Sequence, residues 1–359
     1  MKKILRINMS GSKGPELKHD SIEGYEGLGG RAMTSSVVAR EVPPLCHPLS
    51  AENKLVIAPG LMSGTAAVMS GRLSIGCKSP LTGTIKEANA GGQAALMLAK
   101  LGYAAIILEG KPLNDNLYKI VINKDNVLIE PDNSLKLLGN YELISKMNAA
   151  HGNKVCCISI GQTGEMKMSA ASIAITDKEQ RPTRHAARGG VGAVMGAKGV
   201  KPAYDPRTVQ GIGVTYATST MGADHTSGYA VATNLLSVGG QVDPLKPEGQ
   251  VELSRNLQIS TAAIDATGMC LFIAFPILDQ PETFQALLDL INSFHGMNMN
   301  SDDVMALGKT ILKNEKDFNT RAGFISTHDR LPGFFKKESV SPHNITFNVP
   351  DEALDDVLN

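Results

Sequence analysis

Arg184 and Arg188 stand four residues apart, and Gly189, Gly190, Gly192 and Gly196 follow them directly. Guanidinium groups are planar, permanently charged donors that match the oxygens of a phosphate. Glycines lack a Cβ, so a ligand can come close to the backbone or the chain can take a positive φ. The stretch from Arg184 to Arg207 therefore reads as a seat for an anionic cofactor. Two other readings compete with it. A dinucleotide fingerprint needs G-x-G-x-x-G after a strand; from Gly190 the run is G-x-G-x-x-x-G, and it follows the polar segment TDKEQRPTRH. A glycine-rich turn entering a tightly packed helix would explain the glycines with no ligand at all.

Further chemistry-bearing residues are scattered along the chain. Arg72 ends the small-residue loop PGLMSGTAAVMSGR, and Asn89 and Gly91 lie in ANAGG. His225 follows GAD in a Ser/Thr-rich stretch, while Asp265, Met269 and Cys270 form DATGMC. Arginine and backbone donors suit phosphates; Asn and Asp suit the polar edge of a heterocycle. Each has a plain alternative: a surface arginine, a turn asparagine, a structural histidine, a helix-capping aspartate. Cys156 and Cys157, in an apolar segment, read as core, and Cys46 and Cys77 have no visible partner.

These residues must be positioned by a chain of 359 residues, long enough for about two domains. Thirty-five basic and 35 acidic residues cancel, which argues against a broad footprint for nucleic acid or an anionic membrane. No apolar run reaches bilayer length, and MKKILRINMSGSKG turns polar too early for a signal-peptide core, so a cytoplasmic protein is expected. Five cysteines without a C-x-x-C give neither a disulfide framework nor a self-sufficient metal site.

The first half alternates short apolar runs with turn signals. Lys3–Asn8, Leu55–Ala58, Leu73–Cys77, Ala104–Leu108, a hairpin around Lys124-Asp125, Val155–Ile160 and Ala171–Thr176 read as strands, and Gly27–Val42, Gly92–Leu101 and Asn140–Ala150 as helices. After Pro202 the period changes: Glu248–Ala263, Pro281–His295 and Ser301–Phe318 are helical, Pro281 at a tolerated first-turn position. The fold class is α+β: a β-rich domain over residues 1–200 and a helical domain over 201–359.

Arg72 with KSPLTG and ANAGG, then RHAARGGVGAVMGAK, AYDPR with GxGxxYATSTMGADH, and DATGMC occur in one order. That ordered set resembles the aldehyde ferredoxin oxidoreductase family, tungsten-pterin enzymes that oxidise aldehydes to carboxylic acids. The resemblance implies a β-rich saddle beneath tungsten or molybdenum held by two pterins, with Mg2+ bridging the pterin phosphates. It also implies a [4Fe–4S] cluster passing electrons to ferredoxin. Carried onto this sequence, the pterin contacts would be Arg72, Asn89, Gly91, Arg184, Arg188, Asp265 and Met269. His225 would face metal and substrate, and Cys270 would be a cluster ligand.

The sequence also departs from that family. The family supplies three cluster cysteines on a C-x-x-C-x-x-x-C segment and a fourth in D-x-x-G-x-C; here only Cys270 is present, so a cluster in the usual form is not expected. The first D-x-x-G motif and the proton-accepting glutamate are absent, and Met221 and Ser227 stand where basic phosphate contacts belong. One cause covers all three: GAKGVKPAYDPR joins the saddle to the last domain, with the middle helical domain missing at a seam near residues 199–202. Expected readings are a shortened family oxidoreductase acting on a small aldehyde, a non-catalytic pterin-binding remnant, or a nucleotide-binding enzyme using the glycine loop. Loss of a domain should also uncover apolar surface and favour self-association, and the family implies a possible homodimer.

Overall fold

The computed structural model describes residues 2–197, 210–224, 226–236, 238, 240–339 and 345–358. His225 and the seam near 199–202 lie outside the described residues. The described chain divides into two units: Met1–Ala203 together with Asp265–Cys270, and Tyr204–Ile264 together with Leu271–Asn359.

In the first unit, β1 (Lys3–Asn8), β2 (Glu16–Ser21), β3 (Leu55–Pro59), β4 (Leu73–Lys78), β5 (Ile85–Ala90) and β6 (Tyr103–Glu109) form one sheet in the order β2-β1-β6-β3-β4-β5. Only β1 and β6 run parallel. The LVIAP and LSIGCK strands β3 and β4 are buried along their whole length, as central strands covered on both faces must be. By contrast β2, ELKHDS, is exposed; its charges suit an edge strand and hide it from a search for apolar alternation. A hairpin, β7 (Tyr118–Ile122) with β8 (Val127–Pro131), and a small antiparallel sheet, β9 (Ile158–Ser159), β10 (Ile173–Ile175) and β11 (Arg184–Ala186), complete the strands.

Helix α1 (Gly30–Glu41) packs on β3, β4 and β5 and is buried from Gly30 to Val38. The approach is close: a Cβ on Gly76 of β4 would lie 2.6 Å from Thr34 Cβ. Helices α2 (Ala94–Lys100), α3 (Asn140–His151), α4 (Gln162–Glu165) and α5 (Val191–Gly196) follow in order. Leu55, Ile57, Leu73, Ile75, Ile106, Ile173, Ile175 and Val191 share one core. At the sheet margin Arg6, half-shielded, bonds Asp20 at 2.6 Å and Glu41 at 2.7 Å, and Lys54 joins Glu41 at 2.8 Å to Glu109 at 2.5 Å.

The second unit is helical: α6 (Gln210–Thr218), α7 (Val231–Leu236), α8 (Gln250–Thr267, its residues from Asp265 on counted with the first unit), α9 (Ala274–Asp279), α10 (Pro281–His295), α11 (Ser301–Arg321), α12 (Phe334–Lys337) and α13 (Asp351–Asp355). Helix α11 starts at Ser301, as its spacing suggests, behind a capping box built on Asn300. Asn300 Oδ1 accepts from the backbone of Asp302 and Asp303, and Asp303 returns the bond to Asn300 N–H. Ile212, Val214, Tyr216, Leu331, Phe335 and Phe347 form the core of this unit.

Candidate cofactor site

Arg72 immediately precedes β4, whose register sets Leu73 opposite Ala90 and Ser74 opposite Asn89. Strand pairing thus brings Arg72 beside the ANAGG turn. Its Nη1 donates to Asn89 Oδ1 at 3.2 Å and its Nη2 to Cys270 Sγ at 2.9 Å. Asn89 Nδ2 in turn donates to Asp265 Oδ1 at 3.1 Å, and Asp265 Oδ2 faces Arg31 Nη1 at 3.5 Å. Five residues from four places in the sequence are joined in one polar chain.

The backbone holds DATGMC in place. Leu61 and Met62 N–H donate to Ala266 and Thr267, Arg72 N–H to Gly268, and Cys270 N–H to Met69. Glycines make room for it: a Cβ on Gly30 would lie 2.2 Å from the Asp265 carbonyl oxygen, and one on Gly60 2.1 Å from Gly268 Cα. Met269 is buried.

Beside this chain lies a cleft of about 530 Å3 whose charged lining is Arg72, Lys178 and Arg184 together with the carboxylates Asp177 and Glu179, and whose floor includes Gly91 and Gly92. Gly91 opens directly into space, with nothing within 4 Å of a Cβ placed there. Gln93 N–H donates to Thr176 O at the end of β10, which brings β11 and Arg184 alongside the glycines. The far wall is organised by Asp177, which accepts from Arg181 N–H at 2.9 Å, Glu179 N–H at 3.0 Å and Thr183 Oγ1 at 2.8 Å. Those bonds, led by the Arg181 backbone, hold its carboxyl below the usual range.

Behind Asn89 sits Glu87, 1% exposed on β5. Burial first, then the Asp265 charge, raise its carboxyl to about 7 against a bond from Ser74 and the charges of Arg31 and Arg188. Arg31 is itself 0% exposed on α1. Neither Glu87 nor Arg31 was legible as a site residue. The only signal was a charge inside an otherwise small and apolar segment, TIKEANAGG for one and GLGGRAM for the other.

The candidates therefore separate by place. Arg72, Asn89, Asp265 and Cys270 share the polar chain, while Arg72, Gly91 and Arg184 line the cleft. Arg188 interacts electrostatically with Glu87. The glycine loop follows a short strand after all, β11, hidden by its brevity and polarity. Because β11 pairs antiparallel with β10, it is not the parallel strand of a dinucleotide-binding unit. Packing accounts for much of the glycine pattern: Gly189 and Gly190 have φ of 65° and 67°, and a Cβ on Gly196 would lie 1.7 Å from Gly164 O.

The sequence profile for "Aldehyde ferredoxin oxidoreductase, N-terminal domain" matches residues 4–203, and that for "domains 2 & 3" matches residues 174–359. The chain belongs to the aldehyde ferredoxin oxidoreductase family. The tungsten-containing aldehyde ferredoxin oxidoreductase of Pyrococcus horikoshii is 39% identical over 202 residues, which is 55% of this chain and 32% of that protein. Its Pyrococcus furiosus counterpart is 35% identical over 201 residues, with the same coverage of each chain. The "Aliphatic sulfonate oxidoreductase, WOR-like subunit" of Pyrococcus furiosus is 29% identical over 218 residues, 55% of this chain and 33% of that protein. The matched segment of this family member thus covers about a third of the length of those relatives. Among solved structures, the BamBC active-site complex of benzoyl coenzyme A reductase superposes with a TM-score of 0.49 at 20% identity, over 89% of this chain and 61% of that one.

Among the described residues no group of three or more His, Cys, Asp or Glu is arranged to hold a metal ion. No described helix is long and apolar enough to cross a membrane.

Proposed function

We propose that the β-rich unit seats a tungsten- or molybdenum-pterin cofactor in the Arg72–Arg184 cleft, and that the chain is an oxidoreductase acting on a small aldehyde. The observation that carries this reading is the juxtaposition of two guanidiniums, an unobstructed Gly91 and the Asn89–Asp265 pair at one cleft. Arg72 and Arg184 would neutralise the phosphate end, the two cleft-lining glycines would admit the ring, and Asn89 with Asp265 would read its polar edge. When bound, the cofactor supplies a two-electron acceptor. His225 is proposed to position the substrate carbonyl, and Mg2+ to join the pterin phosphates.

A [4Fe–4S] cluster does not fit the thiols present. Cys46 and Cys77 are buried, Cys77 inside the core; Cys156 and Cys157 lie at the small sheet; Cys270 accepts from Arg72. Ferredoxin is proposed as the electron acceptor from membership of the family alone. A second reading, a pterin-binding protein without turnover, is favoured by that solitary thiol. We also propose a dimer or larger self-association, with the outward Phe272 and Phe294 of the helical unit as sticky points.

Elemental analysis of the purified chain tests the cofactor: tungsten or molybdenum near one per chain with little iron is expected, and no metal from cells that supply it would sink the reading. Aldehyde-dependent reduction of a viologen dye then separates the two readings, since the second predicts none.

A further inference from the structure

The polar chain at the cleft does not end at Asp265. It continues into a group of four ionisable side chains drawn from four segments, three of them buried and the fourth, Arg188, half-buried. Glu87 comes from β5, Asp265 from the DATGMC segment, Arg31 from α1 and Arg188 from the glycine loop. Ser74 of β4 adds a hydroxyl. Both Glu87 carboxylate oxygens are shielded from solvent, and Asp265 is 8% exposed. Like charges held close in a low-dielectric site resist full ionisation, and a further anion nearby deepens that resistance.

We propose that Glu87 and Asp265 form a buried proton-accepting pair coupled to the cleft, so that a dianion binding between Arg72 and Arg184 draws a proton into the pair. The inference rests on the reading of the cleft as an anion seat. Asn89 is the link: it donates to Asp265 and accepts from Arg72, whose guanidinium lines the cleft. Gly91 lies four strand residues from Glu87, roughly 13 Å along the backbone. At that distance a charge is still felt through the protein interior, most strongly at low ionic strength. The raised carboxyl of Glu87 places its titration where a small change in field changes its proton occupancy. Asp177, Lys178, Glu179 and His185 also line the cleft, His185 hydrogen-bonded to Ser172, so uptake at Glu87 must be separated from theirs by variants.

The test is isothermal titration calorimetry of the full chain with sulfate, a dianion that takes up no proton itself near neutrality. Measurements at one pH in buffers of different ionisation enthalpy give the protons taken up on binding. Net uptake is expected in the native chain between about pH 7 and 8.5, with affinity rising by up to about tenfold per pH unit lowered, the ceiling for one linked proton. Glu87→Gln should abolish most of the uptake while His185→Gln leaves most of it. Binding without uptake, or uptake that survives in E87Q and vanishes in H185Q, overturns the inference and leaves the anion seat standing. Absence of sulfate binding overturns both. Difference infrared spectroscopy of the native chain with and without sulfate needs no variant: growth of a protonated-carboxyl band is expected, and its absence overturns the proposal even if E87Q fails to fold.

Discussion

Arg72 donates one guanidinium nitrogen to Asn89 and another to the sulfur of Cys270, a residue 198 positions later in the chain. One arginine therefore ties the β4–β5 edge to DATGMC while presenting itself to the cleft. Lysine cannot make both bonds, because a single ammonium lacks the planar fork. Arg72→Lys is expected to weaken sulfate binding at least about tenfold. Isothermal titration calorimetry reads the loss; an unchanged affinity would mean that the guanidinium fork does not hold the anion.

Asp265 faces Arg31, whose side chain is 1% exposed. Removing one member of such a pair leaves the other buried charge less well compensated, at a typical loss of about 3 kcal/mol. Asp265→Ala should therefore lower the urea midpoint of the native chain markedly, whereas Asp302→Ala at the exposed start of α11 should move it little. Equal midpoints for the two variants would refute the pairing.

Two glycines give opposite forecasts. Gly190 has φ of 67°, and its Cβ would strike Ser169 O at 2.2 Å, so Gly190→Ala should cost about 1–3 kcal/mol. Nothing stands within 4 Å of a Cβ at Gly91, so Gly91→Ala should leave stability within about 0.5 kcal/mol. If the cleft seats an anion against that backbone, the second variant should still bind sulfate more weakly. Calorimetry and thermal melting on both variants check the contrast.

Glu41 supplies a pH dependence. Burial alone would raise its carboxyl, but bonds from Arg6, Lys54 and Tyr25 outweigh burial and hold it down to about 2. A depressed carboxyl stabilises the fold fully above its unfolded value, near 4.5, and loses that contribution as pH falls through about 2. The contribution is at most about 3 kcal/mol. Native stability measured by denaturant between pH 5 and 2 should fall steeply, and Arg6→Met should flatten part of that slope while lowering stability at pH 7.

The amino-acid sequence by itself determined the local elements and the family. Short continuous apolar runs gave the inner strands, period-3.6 runs gave α10 and α11, and ordered short motifs gave the family, because burial leaves its pattern in the sequence. What escaped was short or charged: β2 at the sheet edge and β11 before the glycine loop, where few side chains face a core. Motif residues could be named singly, but their grouping could not. Asn89 and Asp265 are 176 positions apart, and only the sheet order and the passage of DATGMC beneath Gly30 and Gly60 bring them within 3.1 Å. Tertiary structure also decided that Arg184 looks into the cleft while Arg188 answers to Glu87. Side-chain direction depends on backbone φ and ψ and on neighbours supplied by distant segments, and neither is written in residue type or spacing.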